Sequence, residues 1–456
     1  MKKVRFLTLG CKVNQYETQA MRELLLQKGF SEGVEGPQEV VVINTCTVTE
    51  AADRENRYWI RRLRRENPDA RLVVTGCWVE RNRKEIESLP EVDLILTNQE
   101  KQDLADRLFH GCGTPGVQAG ALLPSRPKTE YAPLEISSFQ GHARAFVKVQ
   151  DGCNHACSFC KVVLVRGRSR SRPLADIIEE VKRLADSGFR EIVLTGIQLG
   201  AYGSDFMPLT LPSPPPGERV GVRGRPLLVS VLEALSQIPS IERIRLSSIE
   251  PTDVKPELIE AMKELPHICP QLHIPLQSGD NEILRRMNRR YTRDFYETLL
   301  ASLRQQIPDF CLSMDVMAGF PGEEERHFQN TLSLIQKTRP IRVHAFPYSR
   351  RPGTRAAVWE EVPASCLGER MKRLIAFSND ISRREKEKFL GRSFPVLVER
   401  ASSRRGFFQG HTAHYLKVYF QTSGEQVGRN VRVKLVGVME DGLAGQVEKK
   451  RFESFL

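Results

Sequence analysis

The sequence predicts an α/β protein in three parts: an N-terminal doubly wound parallel sheet, a central partial (β/α)6 barrel and a small all-β barrel at the C-terminus. Three observations carry this. Short apolar, β-branched runs alternate with polar helical stretches from residue 1 to about 110. The alternation resumes at Ala143 with six further strand-like runs. From about residue 390, strand-like runs follow one another across Gly-rich turns without helices between them. Strands that alternate with helices build parallel sheets, whereas strands alone close on one another. At 456 residues the chain also exceeds one ordinary core.

In the first part VRFLTLG, EVVVINT, RLVVTG and DLILTN read as strands, with helices at 16–28, 51–66 and 79–88. Residues 111–140 are rich in Gly, Pro and polar side chains and have no period, which marks a linker between a first domain, 1–110, and a second, 141–375. The second domain offers ARAFVKVQ, EIVLTGI, RIRLSSIE, LHIPLQ, LSMDVMAGF and IRVHAFPYS as strands, with helices such as 174–187 and 280–287 between them. In such a fold, chemistry sits at the carboxyl ends of the strands. Residues 207–226 (MPLTLPSPPPGERVGVRGRP) break the rhythm and read as a disordered surface insertion. A helix at 367–388 leads into SFPVLVER, GFFQGHTAHYLKVYF and NVRVKLVGV, the strands of a third domain, 388–456.

The net charge of +12 fits a partner that is a polyanion, or plain solubility. The last domain is itself basic, which suits nucleic acid. No run of 18 apolar residues is present, so no membrane span is expected. The opening MKKVRFLTLG has too short an apolar region for a signal peptide and reads as a buried strand, so a cytoplasmic location is expected. Ten cysteines without a secretion signal argue for metal ligands, catalysts or core residues rather than disulfides. Cys112, Cys269, Cys311 and Cys366 follow no pattern and read as structural; the other six do follow one.

Three of the six lie in DGCNHACSFC, as Cys153, Cys157 and Cys160. Thiolates this close together in one loop can wrap a corner of a cubane cluster. A closed zinc site would need a fourth protein ligand, whereas three cysteines on a [4Fe-4S] cluster leave one iron open. The loop follows the first strand of the central barrel, where an active site belongs. The C-x3-C-x2-C spacing resembles the radical S-adenosylmethionine (AdoMet) superfamily. That resemblance implies that AdoMet chelates the open iron and is cleaved to a 5′-deoxyadenosyl radical. It also implies cofactor contacts at later strand ends: Gly196 in LTGIQLG near the methionine moiety, Glu250 in SSIEP, Gln277 and Ser278 in HIPLQSG, and Gly319 in MAGFPGE beside the adenine. Each of these is also compatible with an ordinary turn or helix start.

The other three, Cys11, Cys46 and Cys77, each stand directly after a predicted strand, at intervals of one β/α unit. Ligands gather beyond the carboxyl ends of parallel strands, so these thiolates converge if the three strands are neighbours. Buried cysteines at strand ends give the same pattern without a cluster. Asn14, Asn44 and Thr45 stand nearby, to position ligands or to form turns.

Taken together, LGCKVN, VVINTCTVT, TGC, QDGCNHACSFC and RGRSRSR resemble the methylthiotransferases, over nearly the whole chain. The resemblance implies an N-terminal domain holding an auxiliary [4Fe-4S] cluster on Cys11, Cys46 and Cys77, a radical AdoMet barrel with a second cluster, and a C-terminal TRAM domain. LGCKVN and HAFPYSRRPGT are closest to the branch that methylthiolates carbon 2 of N6-threonylcarbamoyladenosine 37 in tRNA. Partners implied are the tRNA anticodon stem-loop and an electron donor of flavodoxin or ferredoxin type, with the enzyme a monomer. Two departures stand out: KVVLV at 161–165 replaces an apolar run containing a proline, and the 207–226 segment is foreign to the pattern. Other readings are action on isopentenyladenosine or a ribosomal protein, a non-catalytic iron–sulfur RNA-binding or electron-transfer protein, and a zinc module.

Arginines suggest where RNA docks. Arg166, Arg168, Arg170 and Arg172 alternate after the cluster loop and share one face if the segment is extended. Arg54, Arg57, Arg61 and Arg64 recur at helical spacing and read as a solvated face. Phe407, Phe408, Tyr415 and Tyr419 read as core more than as base-stacking residues, and Arg350 and Arg351 are candidates for contact with the modified base.

Overall fold

The structure, a computed structural model, describes residues 2–33, 36–47, 49–109, 131, 133–206, 227–422 and 426–448. Most of the 111–140 linker and the whole 207–226 insertion lie outside the described residues. Among those described, no helix is long and apolar enough to cross a membrane.

The N-terminal strands are β1 (Lys2–Thr8), β2 (Phe30–Glu32), β3 (Val40–Thr45), β4 (Arg71–Gly76) and β5 (Leu94–Leu96). They form one parallel sheet in the order β2-β1-β3-β4-β5. Helices α1 (Lys12–Gln27) and α4 (Leu104–Phe109) cover one face, and α2 (Glu50–Glu66) and α3 (Val79–Glu87) the other. The cause is the period of two along β3. Val40 and Val42 pack with Met21 and Leu104, while Val41 and Ile43 pack with Ile60 and Ile86. The expected doubly wound sheet is present. The three-residue edge strand β2 was not foreseen, because FSE carries no strand pattern.

The central part contains β6 (Ala145–Lys148), β7 (Gln150–Asp151), α5 (Val162–Arg166), β8 (Arg170–Ser171), α6 (Leu174–Asp186), β9 (Glu191–Thr195), α7 (Leu227–Ser236), β10 (Arg243–Leu246) and α8 (Pro256–Glu264). It continues through β11 (Gln271–His273), α9 (Asn281–Arg286), α10 (Arg293–Gln306), β12 (Cys311–Ala318), α11 (Glu325–Thr338), β13 (Arg342–Pro347) and α12 (Ala364–Glu387). The six long strands pair in parallel as β6-β9-β10 and β11-β12-β13. Bridges Ile244↔Ile268 and Ser248↔His273 join the two halves, so spatial order follows chain order. β7 and β8 instead pair antiparallel, Gln150 with Ser171 and Asp151 with Arg170. They pinch off the loop that carries Cys153, Cys157 and Cys160.

The last strands, β14 (Ser393–Ala401), β15 (Phe408–Thr412), β16 (Lys417–Phe420), β17 (Asn430–Met439) and β18 (Gly442–Val447), close a barrel in the order β14-β15-β16-β18-β17. The run 406–420 is a hairpin rather than one strand. Arg243 and Arg245 on β10 fasten this barrel to the central array. They donate to the carbonyls of Pro395, His411, Thr412 and Ala413 at 2.8–3.1 Å.

Glu191 lies beneath those arginines, 2.9 Å from Arg245 and 3.3 Å from Arg243. Burial opposes its charge, but Arg245, Arg144 and Arg243 outweigh this and hold its carboxyl down to about 2. A carboxyl depressed in the folded state adds stability above its unfolded pKa and loses it as pH falls toward the folded value. From an unfolded value near 4.3 the contribution is on the order of 3 kcal/mol. Glu191→Gln is therefore expected to melt earlier than the parent above pH ~5, with the gap closing between pH ~4 and ~2. Thermal melts of both proteins across that range check this; a gap independent of pH would refute it.

Candidate active site

β1, β3 and β4 are adjacent, with Thr8 opposite Asn44 and Thr45 opposite Gly76. Cys11, Cys46 and Cys77, each just past one of these strands, therefore emerge along one edge of the sheet. Cys11 caps the start of α1, while Cys46 and Cys77 are buried. Packing between the loops is close. A Cβ at Gly10, where φ is +101°, would lie 2.9 Å from the Cys46 sulfur. Asn14 ties two of the loops together, donating to the carbonyls of Leu9 and Thr45 at 2.8 and 3.0 Å. Asn44 donates to the Asn14 carbonyl at 2.9 Å, and Thr45 to that of Thr75 at 2.5 Å. These three residues hold the cysteine-bearing loops in register.

In the central loop, Gly152 permits the turn at φ +73°, where a Cβ would fall 1.9 Å from the Arg168 carbonyl oxygen. Past it, the Cys153 thiol donates to Gln198 at 3.2 Å and accepts from the His155 amide at 3.3 Å. Arg289 donates to Cys157 at 3.5 Å and pairs with Glu250 at 2.9 Å. The Val162 amide, at the start of α5, reaches Cys160 at 3.5 Å. Burial pushes the Cys153 thiol up to about 12 and raises that of Cys157. Thiols so raised are poor nucleophiles and lose their protons on binding a metal. Among the described residues no His, Cys, Asp and Glu side chains converge tightly enough to hold a single ion. Three thiols in each set are the number that a [4Fe-4S] cluster with one open iron would take.

Two arginines link the two cysteine-bearing regions. Arg166, six residues after Cys160, donates to the Cys77 sulfur at 3.3 Å and to Asn14 at 2.6 Å. Arg351 donates to the Phe159 carbonyl at 3.3 Å and lies within electrostatic reach of both Cys160 and Cys46. Under Arg166 is a buried ion network that the sequence did not reveal. Glu17 pairs with Lys148 at 2.8 Å, with Arg166 at 2.5 Å and with Lys101. Asp151 adds contacts to Lys148 at 3.0 Å and Arg166 at 3.2 Å.

This network corrects the RNA-docking expectation for three of the four alternating arginines. Arg166, Arg170 and Arg172 are 2–4% exposed. Arg170 lies 3.7 Å from Asp151, and Arg172 pairs with Glu180 at 2.9 Å. The shared face points inward because buried carboxylates meet it; only Arg168 reaches solvent. On α2, Arg57, Arg61 and Arg64 pair with Glu85, Glu91 and Asp93. Arg350 is exposed and paired with Glu361, whereas Arg351 is enclosed. Phe408 packs in the barrel core, Arg404 covers Phe407, Tyr419 bonds Asp441, and Tyr415 lies under Arg144 and Arg245.

The AdoMet candidates divide. Gln277 is buried at φ +63° with its side-chain oxygen lacking a partner among the described residues, an orphan that a ligand would satisfy. Gly196 is partly open, and a Cβ there would meet Gln150 at 2.9 Å. Glu250 is held by Arg289 next to Cys157. Ser278 is fully enclosed, with its hydroxyl on the Asp280 amide, and Gly319 is buried with its amide on Glu323. These last two are corrected to turn residues, since neither exposes a group to a ligand.

Residues 147–335 match the Radical SAM superfamily, and residues 3–97 match an uncharacterized protein family, UPF0004. The chain is 37% identical over 447 residues to the threonylcarbamoyladenosine tRNA methylthiotransferase MtaB of Chlamydia pneumoniae, covering 97% of each chain. It is 35% identical to the Bacillus subtilis protein of the same name, over 96% of this chain and 94% of that one. A tRNA-2-methylthio-N(6)-dimethylallyladenosine synthase of Acetivibrio thermocellus is 32% identical, over 96% and 90%. Among solved structures, the radical S-adenosylmethionine methyltransferase TsrM of Kitasatospora setae, with cobalamin and a [4Fe-4S] cluster bound, superposes with a TM-score of 0.55 at 16% identity, over 78% of this chain and 77% of that one. That last likeness is one of fold.

Proposed function

The chain belongs to the family of radical AdoMet tRNA methylthiotransferases, and from that membership we propose that it converts N6-threonylcarbamoyladenosine 37 of tRNA to its 2-methylthio derivative. It is a transferase that uses AdoMet and two [4Fe-4S] clusters. The observation that carries the substrate is identity of 35–37% along nearly the full chain to enzymes named for that nucleoside.

We assign the auxiliary cluster to Cys11, Cys46 and Cys77 and the AdoMet-binding cluster to Cys153, Cys157 and Cys160. When bound, AdoMet and its cluster supply one-electron chemistry for an aromatic C–H that no general base removes at neutral pH. The chain's own residues do the positioning. Gln277, Gly196 and Glu250 are the AdoMet contacts, and Arg289 holds Glu250 against Cys157. Arg166 and Arg351 set the distance between the triads, so that one nucleotide can meet both. The central array is the partial radical AdoMet barrel, residues 141–375, and the C-terminal barrel, 388–456, is a TRAM domain that grips the anticodon stem-loop, with Arg168 as a phosphate contact. The protein acts in the cytoplasm as a monomer, reduced by a flavodoxin or ferredoxin.

Anaerobic reconstitution with iron and sulfide, then incubation with tRNA, AdoMet and a reductant, tests this by nucleoside mass spectrometry. The 2-methylthio derivative of threonylcarbamoyladenosine is expected. Product on dimethylallyladenosine instead would overturn the substrate, and no AdoMet cleavage would overturn the chemistry.

A further inference from the structure

A cavity of about 650 Å³ lies between Cys11 and the C-terminal barrel, walled by the inner face of the central strands. Part of its polar wall is already paired. Arg245 is held by Glu191, Gln271 and two backbone carbonyls. His273 pairs with Asp315 at 3.2 Å, and Gln271 donates to Ser313 at 3.0 Å. Among the wall groups left without a hydrogen bond by the described residues are an Arg144 nitrogen, a Lys12 ammonium and a Ser247 hydroxyl, and the last two differ in kind. The Lys12 ammonium, next to Cys11, has no hydrogen bond or ion pair among the described residues. The Ser247 hydroxyl, on a residue only 6% exposed, has no partner among the described residues.

An unpaired cation and an unsatisfied buried hydroxyl in one cavity call for a ligand with a negative charge and a polar body. We propose that this cavity receives the N6-threonylcarbamoyl substituent of the target adenosine, with its carboxylate on Lys12 and its urea or hydroxyl on Ser247. The inference rests on the substrate proposed above. The chemistry fits. On a purine, carbon 2 and carbon 6 flank the same ring nitrogen, so a base presenting carbon 2 to the clusters carries its N6 group along the same edge. The substituent is anionic and rich in hydrogen-bonding groups, and the volume is that of an ordinary ligand pocket. An apolar isoprenoid on N6 would leave Lys12 and Ser247 unpaired, so the same two residues would disfavour it.

The test uses the full chain with both clusters reconstituted and two anticodon stem-loop oligonucleotides, one with threonylcarbamoyladenosine and one with plain adenosine at the target position. Binding is followed by fluorescence anisotropy. The parent is expected to prefer the modified oligonucleotide. Lys12→Met should weaken that complex by roughly tenfold to a hundredfold, the loss of a charge-assisted hydrogen bond, and leave the unmodified complex unchanged. Lys12→Arg should keep most of the preference. Iron content and tRNA-independent AdoMet cleavage report whether a variant kept its clusters. If Lys12→Met does not, Ser247→Ala, whose side chain is not adjacent to a cysteine, carries the test with the same expected selective loss. Equal weakening of both oligonucleotides would place Lys12 on a backbone phosphate and overturn the proposal. So would an undiminished preference in both variants, even with the parent making the expected product. A parent with neither preference nor product would sink this inference together with the substrate it rests on.

Discussion

Glu17→Ala is expected to lower the stability of the chain by about 3–5 kcal/mol, the usual result of removing one partner from a buried ion pair. Glu17 is 1% exposed on α1, and its carboxylate meets Lys101, Lys148 and Arg166. Burial opposes its ionisation, yet these cations hold the carboxyl well below the usual range. Without it, Lys101 would lose its carboxylate partner, and Lys148 and Arg166 would be left with Asp151. The damage falls where it matters for the chemistry. Lys148 ends β6 and Arg166 lies in α5 beside the central cysteine loop, while α1 begins at Cys11. One carboxylate thus ties the two cysteine-bearing regions together, and Arg166 in turn contacts the Cys77 sulfur. Glu17→Gln keeps the shape but not the charge, so it should be nearly as harmful. Lys101→Met should be milder, since Glu17 would retain two cations. Denaturant unfolding of the three variants, followed by circular dichroism, ranks them. A Glu17→Ala midpoint equal to that of the parent would show that the network contributes no net stability.

The network was invisible in the sequence for a simple reason. Its members stand 84, 131 and 149 residues from Glu17, and nothing local marks a glutamate on a polar helix as the partner of distant cations. The same limit misled the reading of Arg166, Arg170 and Arg172. Their alternation identifies a shared face, but whether that face meets solvent or a buried carboxylate depends on Asp151 and Glu180. What could be read was local. β-Branched runs such as VVVINT form strands because both faces of a parallel sheet are buried, and the cysteines stand directly at the ends of those runs. Emergence of Cys11, Cys46 and Cys77 along one sheet edge depends on β1, β3 and β4 being neighbours, and they are. Ser278 and Gly319 belong to motifs at strand ends, yet motif position does not say which residues of a turn look outward. β18, GLAGQV, escaped notice because glycine and alanine give it little strand character; only closure of the barrel makes it one.

The two triads should fail in different ways when each loses one cysteine. Cys157→Ala is expected to abolish both AdoMet cleavage and methylthiolation. It removes one of three thiols from the loop between β7 and β8, and two anchors do not hold a cubane that must also bind a ligand. The loss should exceed the roughly tenfold to hundredfold effect of removing a mere partner of a metal ligand. Cys46→Ala should abolish methylthiolation yet leave reductive AdoMet cleavage, because that reaction needs only the other triad. Iron should fall from about eight to about four per chain in each variant. Cys366, exposed on α12 and far from either loop in sequence, provides the control: Cys366→Ala should keep iron, cleavage and product at parent levels. The division follows from the fold. Cys46 is supported by the N-terminal sheet and Cys157 by the central array, so each triad can empty without dismantling the other. Methylthiolated product from Cys46→Ala would contradict the assignment of the auxiliary site. Loss of AdoMet cleavage in that variant would instead mean that the triads, bridged by Arg166 and Arg351, load their clusters as one unit.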